Sequence, residues 1–588
     1  MTRFRSQETI AAPLDQVVRW HSLPGAVTRL SPHWAQTVVE EGDPNTPGTR
    51  TAMRIALPGT RGSVRVPWKS EHFALDDPDV APLAARQQDT DSQQDTAHRH
   101  ESTAGSEDPT GTTPSAFGFG DLMVDSPLAP LRSWEHHHVF RAAGSTAANR
   151  TAPAGRTAAG PAGPGAASAM DTATSIEDDV TVELPRASLL TDTDLGSRIG
   201  AGLSRLPGAR LPEKQLLDTL RRTFAARTAR LHREFDFLRE IDAPTVGGAR
   251  PLRILVSGAT GLVGTQLCAL LTTAGHSVRR LVRREPTGHG PATTSSASAR
   301  RRATASAGAP TGPLHPSVGT GEAPDQESRW DPRAGYLLRE DLAWADVVVC
   351  LSGRSIGGRL TDRAKEEILA SRIDTTRLLA STIAALPEAD RPEAFVCASA
   401  VGYYGTDRRT AADESAPAGD GFLAEVCRTW EAEAAAVESA GVRRVSVRTG
   451  LVMSGLGGLL ALQLPLYLAG GGGRLGSGEQ WFPWISHDDL VRVYARAIVD
   501  SALSGPVNAV APGIVRQREF AKALGAHVHR PAFVPVPRGG PALLLGEDGA
   551  DELALAGQRA VPAALEREGF AFAHPDLGDC LTEELGPR

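Results

Sequence analysis

Three glycines at a spacing of three residues are the first sign of chemistry in this chain. Gly258, Gly261 and Gly264 follow a short apolar run at residues 254–256 and precede an apolar stretch at helical spacing. A strand, a glycine turn and a helix in this order present unpaired backbone N–H groups and the positive end of a helix dipole to an anion. Glycine is needed where a Cβ would block that approach. The pattern predicts a diphosphate-binding turn, against the alternative of a tight turn that binds nothing.

The second strand of this unit indicates which dinucleotide binds. Residues 277–284 end in Arg283 and Arg284, and no acid occurs before Glu285. NAD-binding proteins tend to place an acid at this strand end, whereas NADP-binding proteins place an arginine near the 2′-phosphate. We therefore predict NADP(H) as the cofactor, against the alternative that the arginines form a solvated strand end.

Length and composition limit the class of protein. With 588 residues the chain is too long for one core, so two or more domains are expected. A net charge of −7 argues against a general nucleic-acid binder. No apolar run reaches membrane-spanning length, and the N-terminus lacks the apolar core of a signal peptide. Five scattered cysteines are typical of buried thiols in a reducing compartment, so we expect a cytoplasmic protein without membrane or nucleic-acid partners.

The pattern along the chain predicts a β-rich domain at 1–240 closed by a long amphipathic helix, a linker at 241–251 and a nucleotide-binding part that begins at 252. Stretches at about 84–114, 142–172 and 286–327 are poor in large apolar residues. Such stretches cannot offset the entropy of ordering, so we predict disordered insertions there.

The first domain carries three consecutive histidines. Strand alternation places His136 and His138 on one face and His137 on the other. No third metal ligand is evident in the sequence, so we expect cavity lining or an edge-strand surface, and no metal site. Residues 120–140, together with the early helix and the long closing helix, resemble the START/polyketide-cyclase (SRPBCC) superfamily. The resemblance implies an α+β helix-grip fold that holds an apolar ligand between the sheet and the helix.

Several motifs of the second domain carry a more specific resemblance. They are Gly-Ala-Thr-Gly-Leu-Val-Gly at 258–264, Ser-Ala-Val-Gly-Tyr-Tyr-Gly at 399–405, a segment ending Trp-Ile-Ser-His-Asp-Asp-Leu at 484–490, and Gly-Gln-Arg-Ala-Val-Pro at 557–562. The chain resembles the extended short-chain dehydrogenase/reductase superfamily, and within it an epimerase-like subfamily with a small C-terminal domain. The resemblance divides this part of the chain into a nucleotide domain at 252–534 and a small domain at 535–588. It implies an α/β Rossmann-like, doubly wound parallel sheet, an NADP(H) cofactor and a small-molecule substrate.

The resemblance also implies contacts for individual residues. The implied contacts are Gly258, Thr260, Gly261, Leu262, Val263 and Gly264 at the diphosphate, Arg283 at the 2′-phosphate, Leu351, Ser352 and Gly353 along the path from adenosine to nicotinamide, Glu367 and Arg372 on the following helix, and Leu451 near the nicotinamide. The alternative for Glu367 and Arg372 is that they are ordinary helix residues without contact to the cofactor.

The catalytic pattern of the superfamily is broken. Its members use a Tyr and a Lys four residues later, where the Lys lowers the pKa of the Tyr. Alignment on Glu431 puts Leu423 and Cys427 in these roles. The remaining candidates are Ser399, Tyr404 and His487, with His487 the only ready proton carrier at neutral pH.

These residues leave three hypotheses open. The chain is an NADP(H)-dependent oxidoreductase or nucleotide-sugar-epimerase-like enzyme, or it binds NADP(H) as a sensor or scaffold without fast turnover. In a third, the first domain delivers a bound apolar substrate to the reductase.

Overall fold

The structure is a computed structural model that describes residues 1–56, 65–77, 80–82, 116–124, 131–143, 173–183, 213–283 and 326–588. The predicted insertion at 84–114 lies outside these residues, as do all but two residues each of the insertions at 142–172 and 286–327. Arg284 and Glu285 also lie outside them. None of the described helices is long and apolar enough to cross a bilayer.

The first large sheet is built from the N-terminal segment, and its neighbouring strands run in the order β1-β8-β7-β6-β4-β3-β2, with β5 beside β6. Its strands are β1 (Thr2–Ile10), β2 (Gln36–Glu40), β3 (Arg50–Ala56), β4 (Arg65–Phe73), β5 (Ala81–Pro82), β6 (Ala116–Met123), β7 (Ser133–Ala142) and β8 (Thr174–Glu183). All neighbours are antiparallel except β5 and β6. Burial alternates along β8, because one face of the sheet carries the core.

The helices that accompany this sheet in the described residues are α1 (Leu14–His21), α2 (Ala26–Leu30) and α3 (Glu213–Glu240). Helix α3 is the predicted long closing helix. Its first half packs Leu216, Leu220 and Phe224 against the sheet, and its second half packs Leu231 and Phe235 into a core shared with the second domain. The first domain is thus an antiparallel sheet with a long helix across one face, in agreement with the predicted α+β class.

The second large sheet has seven strands in the order β11-β10-β9-β12-β13-β15-β19, and all neighbours are parallel. These strands are β9 (Arg253–Ser257), β10 (Ser277–Val282), β11 (Glu327–Arg329), β12 (Val347–Cys350), β13 (Ala394–Ala400), β15 (Arg443–Thr449) and β19 (Gly505–Ala509). The chain moves outward from β9 in one direction and then in the other, so the order reverses between β9 and β12. This confirms the predicted Rossmann-like, doubly wound sheet.

Helices cover both faces of this sheet. The helices are α4 (Leu262–Thr273), α5 (Arg339–Trp344), α6 (Asp362–Ala384), α7 (Phe422–Ala434) and α9 (His487–Val499), while α8 (Gly458–Leu468) packs beside β16 (Leu451–Met453) in a separate core. Leu267 of α4 and Leu490 of α9 pack against one face, and Leu379 of α6 packs against the other. Both faces of the sheet are therefore shielded from solvent, which explains the continuous apolar runs of β9 and β12.

Short elements complete the second domain. They are β14 (Asp407–Ala412), β16 (Leu451–Met453), β17 (Trp481–Phe482), β18 (Trp484–Ser486), β20 (Val515–Arg516), β21 (Gly557–Ala560), α10 (Gln517–His527), α11 (Gly539–Gly549), α12 (Ala563–Arg567) and α13 (Leu577–Leu585). Strand β21 pairs with β14, and α13 packs against α10. The C-terminal residues thereby share cores with the nucleotide domain.

A buried charged cluster joins the two domains. The Arg29 guanidinium donates to Glu234 of α3 at 2.7 Å and to Asp488 of α9 at 2.8 Å. Arg492 donates to the other oxygen of Asp488 at 2.9 Å. Because Arg29 and Glu234 are almost fully buried, the two domains meet through charges that water does not screen.

Candidate functional site

The glycine turn lies between β9 and α4. Gly258 has a φ of +74°, and a Cβ there would lie 2.7 Å from the carbonyl carbon of Leu351. A Cβ on Gly264 would lie 2.2 Å from the carbonyl oxygen of Gly258. Gly261 is the N-cap of α4, and no side chain caps the helix start. The turn thus combines a left-handed residue, a close helix–strand contact and open N–H groups, as a diphosphate site requires.

The end of β12 runs directly beside this turn. The backbone N–H of Leu351 donates to the carbonyl of Ser257 at 3.1 Å. Ser352 is half-buried and Gly353 is exposed. In the turn itself, Thr260 is exposed, and Leu262 and Val263 are half-buried. Residues 351–353 and the glycine turn therefore border one crevice at the carboxyl ends of β9 and β12, where ligands bind in open parallel sheets.

Arg283 follows the last residue of β10 and is exposed. Strand β10 pairs in parallel with β9, and Leu281 lies opposite Ser257. Arg283 is therefore at the same edge of the sheet as the glycine turn, one strand away from it. The sequence placed this residue at the 2′-phosphate, and its position on the strand end is compatible with that role.

Helix α6 carries the two further residues of the implied cofactor set. The carboxylate of Glu367 pairs with Arg354 and, at 2.9 Å, with Arg363. The Arg372 guanidinium instead donates to the backbone oxygens of Arg354 and Ile368, each at 3.1 Å. Burial lowers the pKa of Arg372.

These contacts distinguish Arg372 and Glu367 as possible contacts for a ligand. Arg372 lies within 3.6 Å of the position that a Cβ on Gly353 would occupy. It is a half-buried cation beside the crevice, suited to an anionic group. Glu367 is already engaged by two arginines. Leu451 begins β16, opposite Trp484 of β18, and its N–H donates to the carbonyl of Pro483 at 2.7 Å.

Ser399 and Tyr404 belong to one buried polar network. The Ser399 hydroxyl donates to Glu431 at 2.6 Å. The Tyr404 hydroxyl donates toward the side-chain oxygen of Asn508 at 2.7 Å and accepts from Arg448 at 3.0 Å. Burial raises the pKa of Tyr404. Ser399 and Tyr404 thus lie in one network, and other members of that network already form hydrogen bonds with both hydroxyl groups.

Three members of this network were not among the sequence candidates. Glu431 receives two hydrogen bonds from Arg448, both at 2.8 Å. Strand pairing places Ser399 opposite Arg448, and Arg448 opposite Asn508. These residues occupy the carboxyl halves of β13, β15 and β19. A search for polar residues near the ends of successive apolar strands would have found Arg448 and Asn508.

A leucine and a cysteine occupy the positions of the usual Tyr–Lys pair. Leu423 and Cys427 lie on α7, and a Cβ on Gly402 would lie 3.2 Å from the Cβ of Leu423. Burial raises the pKa of Cys427 to about 11, so its thiol is neutral. Neither side chain can carry a proton to a substrate at neutral pH.

His487 is placed away from this network, at the domain junction. Its Nε2 lies 3.0 Å from the carbonyl oxygen of Leu262, and its ring faces that of His33. His33 in turn lies 2.8 Å from Glu584 of α13. Burial lowers the pKa of His487 to about 4. His487 is therefore neutral at pH 7 and is not the ready proton carrier that we predicted. The sequence motif gave no sign that this side chain is buried.

The first domain contains a cavity of about 570 Å³ between its sheet and α3. Apolar lining comes from both layers, and polar lining comes from strands β4, β6 and β7 and from α3, which contributes Arg222 and Arg227. The lining includes Trp68, Phe119, Asp121, Trp134, His136, His138, Leu216, Leu220 and Phe224. Residues of α8, α10 and the C-terminal tail also border it. His136 and His138 line this cavity from the same face of β7, as their alternation predicts.

Comparison with known proteins gives relatives for the second domain. Residues 254–509 match the NAD dependent epimerase/dehydratase family, and residues 536–584 match a domain of unknown function, DUF1731. Epimerase family protein MT2273 of Mycobacterium tuberculosis is 37% identical over 329 residues, which are 56% of this chain and 96% of that protein. Human epimerase family protein SDR39U1 is 33% identical over 336 residues, 56% of this chain and 99% of that protein.

Solved structures extend the comparison. The nucleoside-diphosphate sugar epimerase from Corynebacterium glutamicum is similar over 99% of this chain and 90% of its own, with a TM-score of 0.62 and 28% identity. Human SDR39U1, crystallised with NADPH, aligns with 57% of this chain and 99% of its own, with a TM-score of 0.46 and 30% identity.

Proposed function

Because the chain belongs to the NAD dependent epimerase/dehydratase family, we propose that it binds NADP(H) at the carboxyl edge of its parallel sheet and exchanges a hydride with a small-molecule substrate. The observation that carries this proposal is the close backbone approach of Gly258 to Leu351, beside a helix start at Gly261 that no side chain caps. A dinucleotide diphosphate fits such a helix start.

Arg283 supports NADP(H) over NAD(H). It is exposed at the end of β10, where an acid would favour the free ribose hydroxyl of NAD. A guanidinium pairs well with a phosphate, because its planar donors match the phosphate oxygens. The human relative, 33% identical in sequence, has been crystallised with NADPH. We therefore assign the 2′-phosphate to Arg283.

The remaining contacts follow the crevice. The N–H groups at Thr260 to Gly264 would hold the diphosphate, and residues 351–353 would line the path toward the nicotinamide. Arg372 would meet an anionic group of the cofactor or the substrate, since its guanidinium faces backbone oxygens rather than a carboxylate. Leu451 would border the nicotinamide end. Glu367 would hold Arg354 and Arg363 in place.

The bound nicotinamide would supply or accept the hydride, so the chain must donate a proton to the substrate in the first case and accept one from it in the second. We assign this step to Tyr404, with Ser399 as the hydrogen-bond donor to the substrate oxygen. The Arg448 guanidinium, 3.0 Å from the Tyr404 hydroxyl, would stabilise the phenolate after proton transfer. Asn508 would orient the hydroxyl.

A second function, NADP(H) binding without fast turnover, is favoured by one specific observation. Leu423 and Cys427 replace the usual Tyr–Lys pair, and the Tyr404 hydroxyl is buried and fully bonded. In this case the chain would report the redox state of the dinucleotide pool. A panel of carbonyl and nucleotide-sugar substrates tests it: turnover lost in Tyr404→Phe but kept in Tyr403→Phe supports the enzyme, and no turnover by the wild type supports the sensor.

The cofactor proposal is tested by fluorescence titration of the full chain with NADPH and NADH. The variants are Arg283→Ala and, as a matched loss of one exposed arginine, Arg221→Ala on α3. We expect Arg283→Ala to weaken NADPH binding about tenfold or more, since one phosphate contact contributes about 1.5–3 kcal/mol. NADH binding should not change. Equal effects of the two substitutions would contradict the assignment.

For the first domain we propose a helix-grip fold that binds an apolar ligand. The support is the cavity of about 570 Å³ enclosed by the antiparallel sheet and α3. Binding of anilinonaphthalenesulfonate to the folded chain, and its loss when Leu220→Trp fills the cavity, would support the proposal. Equal dye binding by the variant and the wild type would refute it.

A further inference from the structure

Three potential metal ligands meet on one face of the first sheet. His136 and His138 lie two residues apart on β7, and their ring centroids are 3.7 Å apart. Strand pairing puts Asp121 of β6 opposite His136. One ligand atom of each residue lies within 4.8 Å of the others. All three side chains border the large cavity of the first domain.

Each of these side chains is held by an outer partner. Asp178 of β8 lies 3.0 Å from Nε2 of His136 and 2.7 Å from Nδ1 of His138. His72 holds Oδ1 of Asp121 at 2.5 Å. A carboxylate behind each ligating imidazole is the usual arrangement around protein-bound zinc, where it fixes the ring orientation.

The outer contacts engage Nε2 of His136, Nδ1 of His138 and Oδ1 of Asp121, so the second ligand atom of each residue is left for an ion. Nε2 of His138 and Oδ2 of Asp121 are 3.8 Å apart, which is too long for a hydrogen bond. Ligands around tetrahedral zinc lie about 3.3–3.6 Å apart, as follows from bond lengths of about 2.0–2.2 Å. A small rotation of the side chains therefore closes the three donors onto one ion.

Charge balance agrees with a divalent ion. The cluster contains two carboxylates, Asp121 and Asp178, both largely buried. Two neutral imidazoles and one divalent cation would balance them. An acid and a base, Glu8 and Arg227, line an adjoining small cavity, and Arg227 lines the large cavity as well. Buried carboxylates need such compensation, because desolvation of an unpaired charge is costly.

We propose that Asp121, His136 and His138 bind a divalent late transition ion such as Zn²⁺, with a coordination position open to the cavity. Three protein ligands and one open position are typical of zinc sites that bind a water or a ligand oxygen. Much of the facing wall is apolar, with Trp68, Leu216 and Leu220, and α3 adds the cations Arg222 and Arg227. The ion would anchor the carboxylate or carbonyl oxygen of an apolar molecule. This site does not depend on the dinucleotide site.

Titration of the metal-free full chain with Co²⁺ tests the proposal, with bound metal measured by elemental analysis and visible absorption. We expect one Co²⁺ per chain and the intense absorption of a tetrahedral site. His138→Ala removes one ligand and Asp121→Asn removes the negative charge of another, so each should weaken binding about a hundredfold, since loss of even an outer partner costs about 10- to 100-fold. His137→Ala is the matched control: it lies between the two ligands but is exposed on the opposite face, paired with Glu135.

A second control distinguishes this site from the other candidate cluster among the described residues, which consists of His33, His487 and Glu584. Co²⁺ binding that survives His33→Ala but not Asp121→Asn supports the proposal. Loss in His33→Ala alone would place the ion at the domain junction and overturn it. No stoichiometric binding by the wild type, or equal binding by His137→Ala and by a folded Asp121→Asn, would overturn it as well. Unfolding curves establish that each variant is folded.

Discussion

The guanidinium of Arg29 lies 2.8 Å from the carboxylate of Asp488, and this contact joins the first domain to helix α9 of the nucleotide domain. Both partners are largely buried, and Glu234 accepts a second bond from the same guanidinium. The pair therefore couples the packing of the two sheets.

Removal of this cation should destabilise the whole chain. Arg29→Met leaves Glu234 and Asp488 buried with less compensation, so we expect a loss of about 3–5 kcal/mol in the free energy of unfolding. The exposed pair Arg221–Asp218 is the control, and Arg221→Ala should cost less than about 1 kcal/mol. Urea denaturation measures both. Similar midpoints for the two variants would show that the junction is solvated in solution.

The stability of the chain should fall as the pH decreases from neutrality. Burial lowers the pKa of His487 to about 4, from an ordinary value of 6.5. The unfolded state then binds more protons than the folded state between these values, so the contribution of His487 is complete above about pH 6.5 and is lost as the pH falls toward 4. His21 and His276, with pKa values lowered by burial to about 3 and about 4, act in the same direction.

Urea unfolding at pH 7 and pH 5 measures this effect, in the wild type and in His487→Gln. His33, Glu584 and Asp488 face His487 and remain in both proteins. Glutamine keeps a donor for the Leu262 carbonyl but does not titrate. We expect the variant to lose less stability than the wild type, with a difference of about 1–2 kcal/mol between the two pH values. An equal loss in both proteins would assign the pH dependence to other groups.

The close contact at Gly264 gives a prediction about the cofactor turn. Gly264→Ala would place a Cβ 2.2 Å from the Gly258 carbonyl oxygen, so α4 must move away from β9. We expect a lower melting temperature and at least tenfold weaker NADPH binding. Gly578→Ala in the first turn of α13 is the control, because no atom lies within 4 Å of its Cβ. It should leave both quantities unchanged, or raise stability by up to about 1 kcal/mol.

The sequence predicted the turn between β9 and α4 because its determinants are local. A buried strand, glycines at spacing three and a helical pattern follow one another within about twenty residues. The parallel sheet and the amphipathic α3 were predicted for the same reason. Leu216, Leu220 and Phe224 are buried where the helical spacing places them.

The polar clusters could not be predicted from local pattern, because strand register creates them. Ser399, Arg448 and Asn508 are far apart in sequence but lie opposite one another on three neighbouring strands. Asp121 joins His136 and His138 in the same way, through the pairing of β6 with β7. His487 was misjudged because its pKa depends on burial by His33 and α13, which are distant in the chain.

The location of the bound dinucleotide is the most direct test of the proposed function. Hydrogen–deuterium exchange of the full chain, with and without saturating NADPH, measures it peptide by peptide. We predict slower exchange in peptides that contain residues 257–264, Arg283 and 351–353, and no change in the strands of the first domain. Protection confined to β6, β7 and α3, or no protection anywhere, would contradict the assignment of the cofactor to the glycine turn.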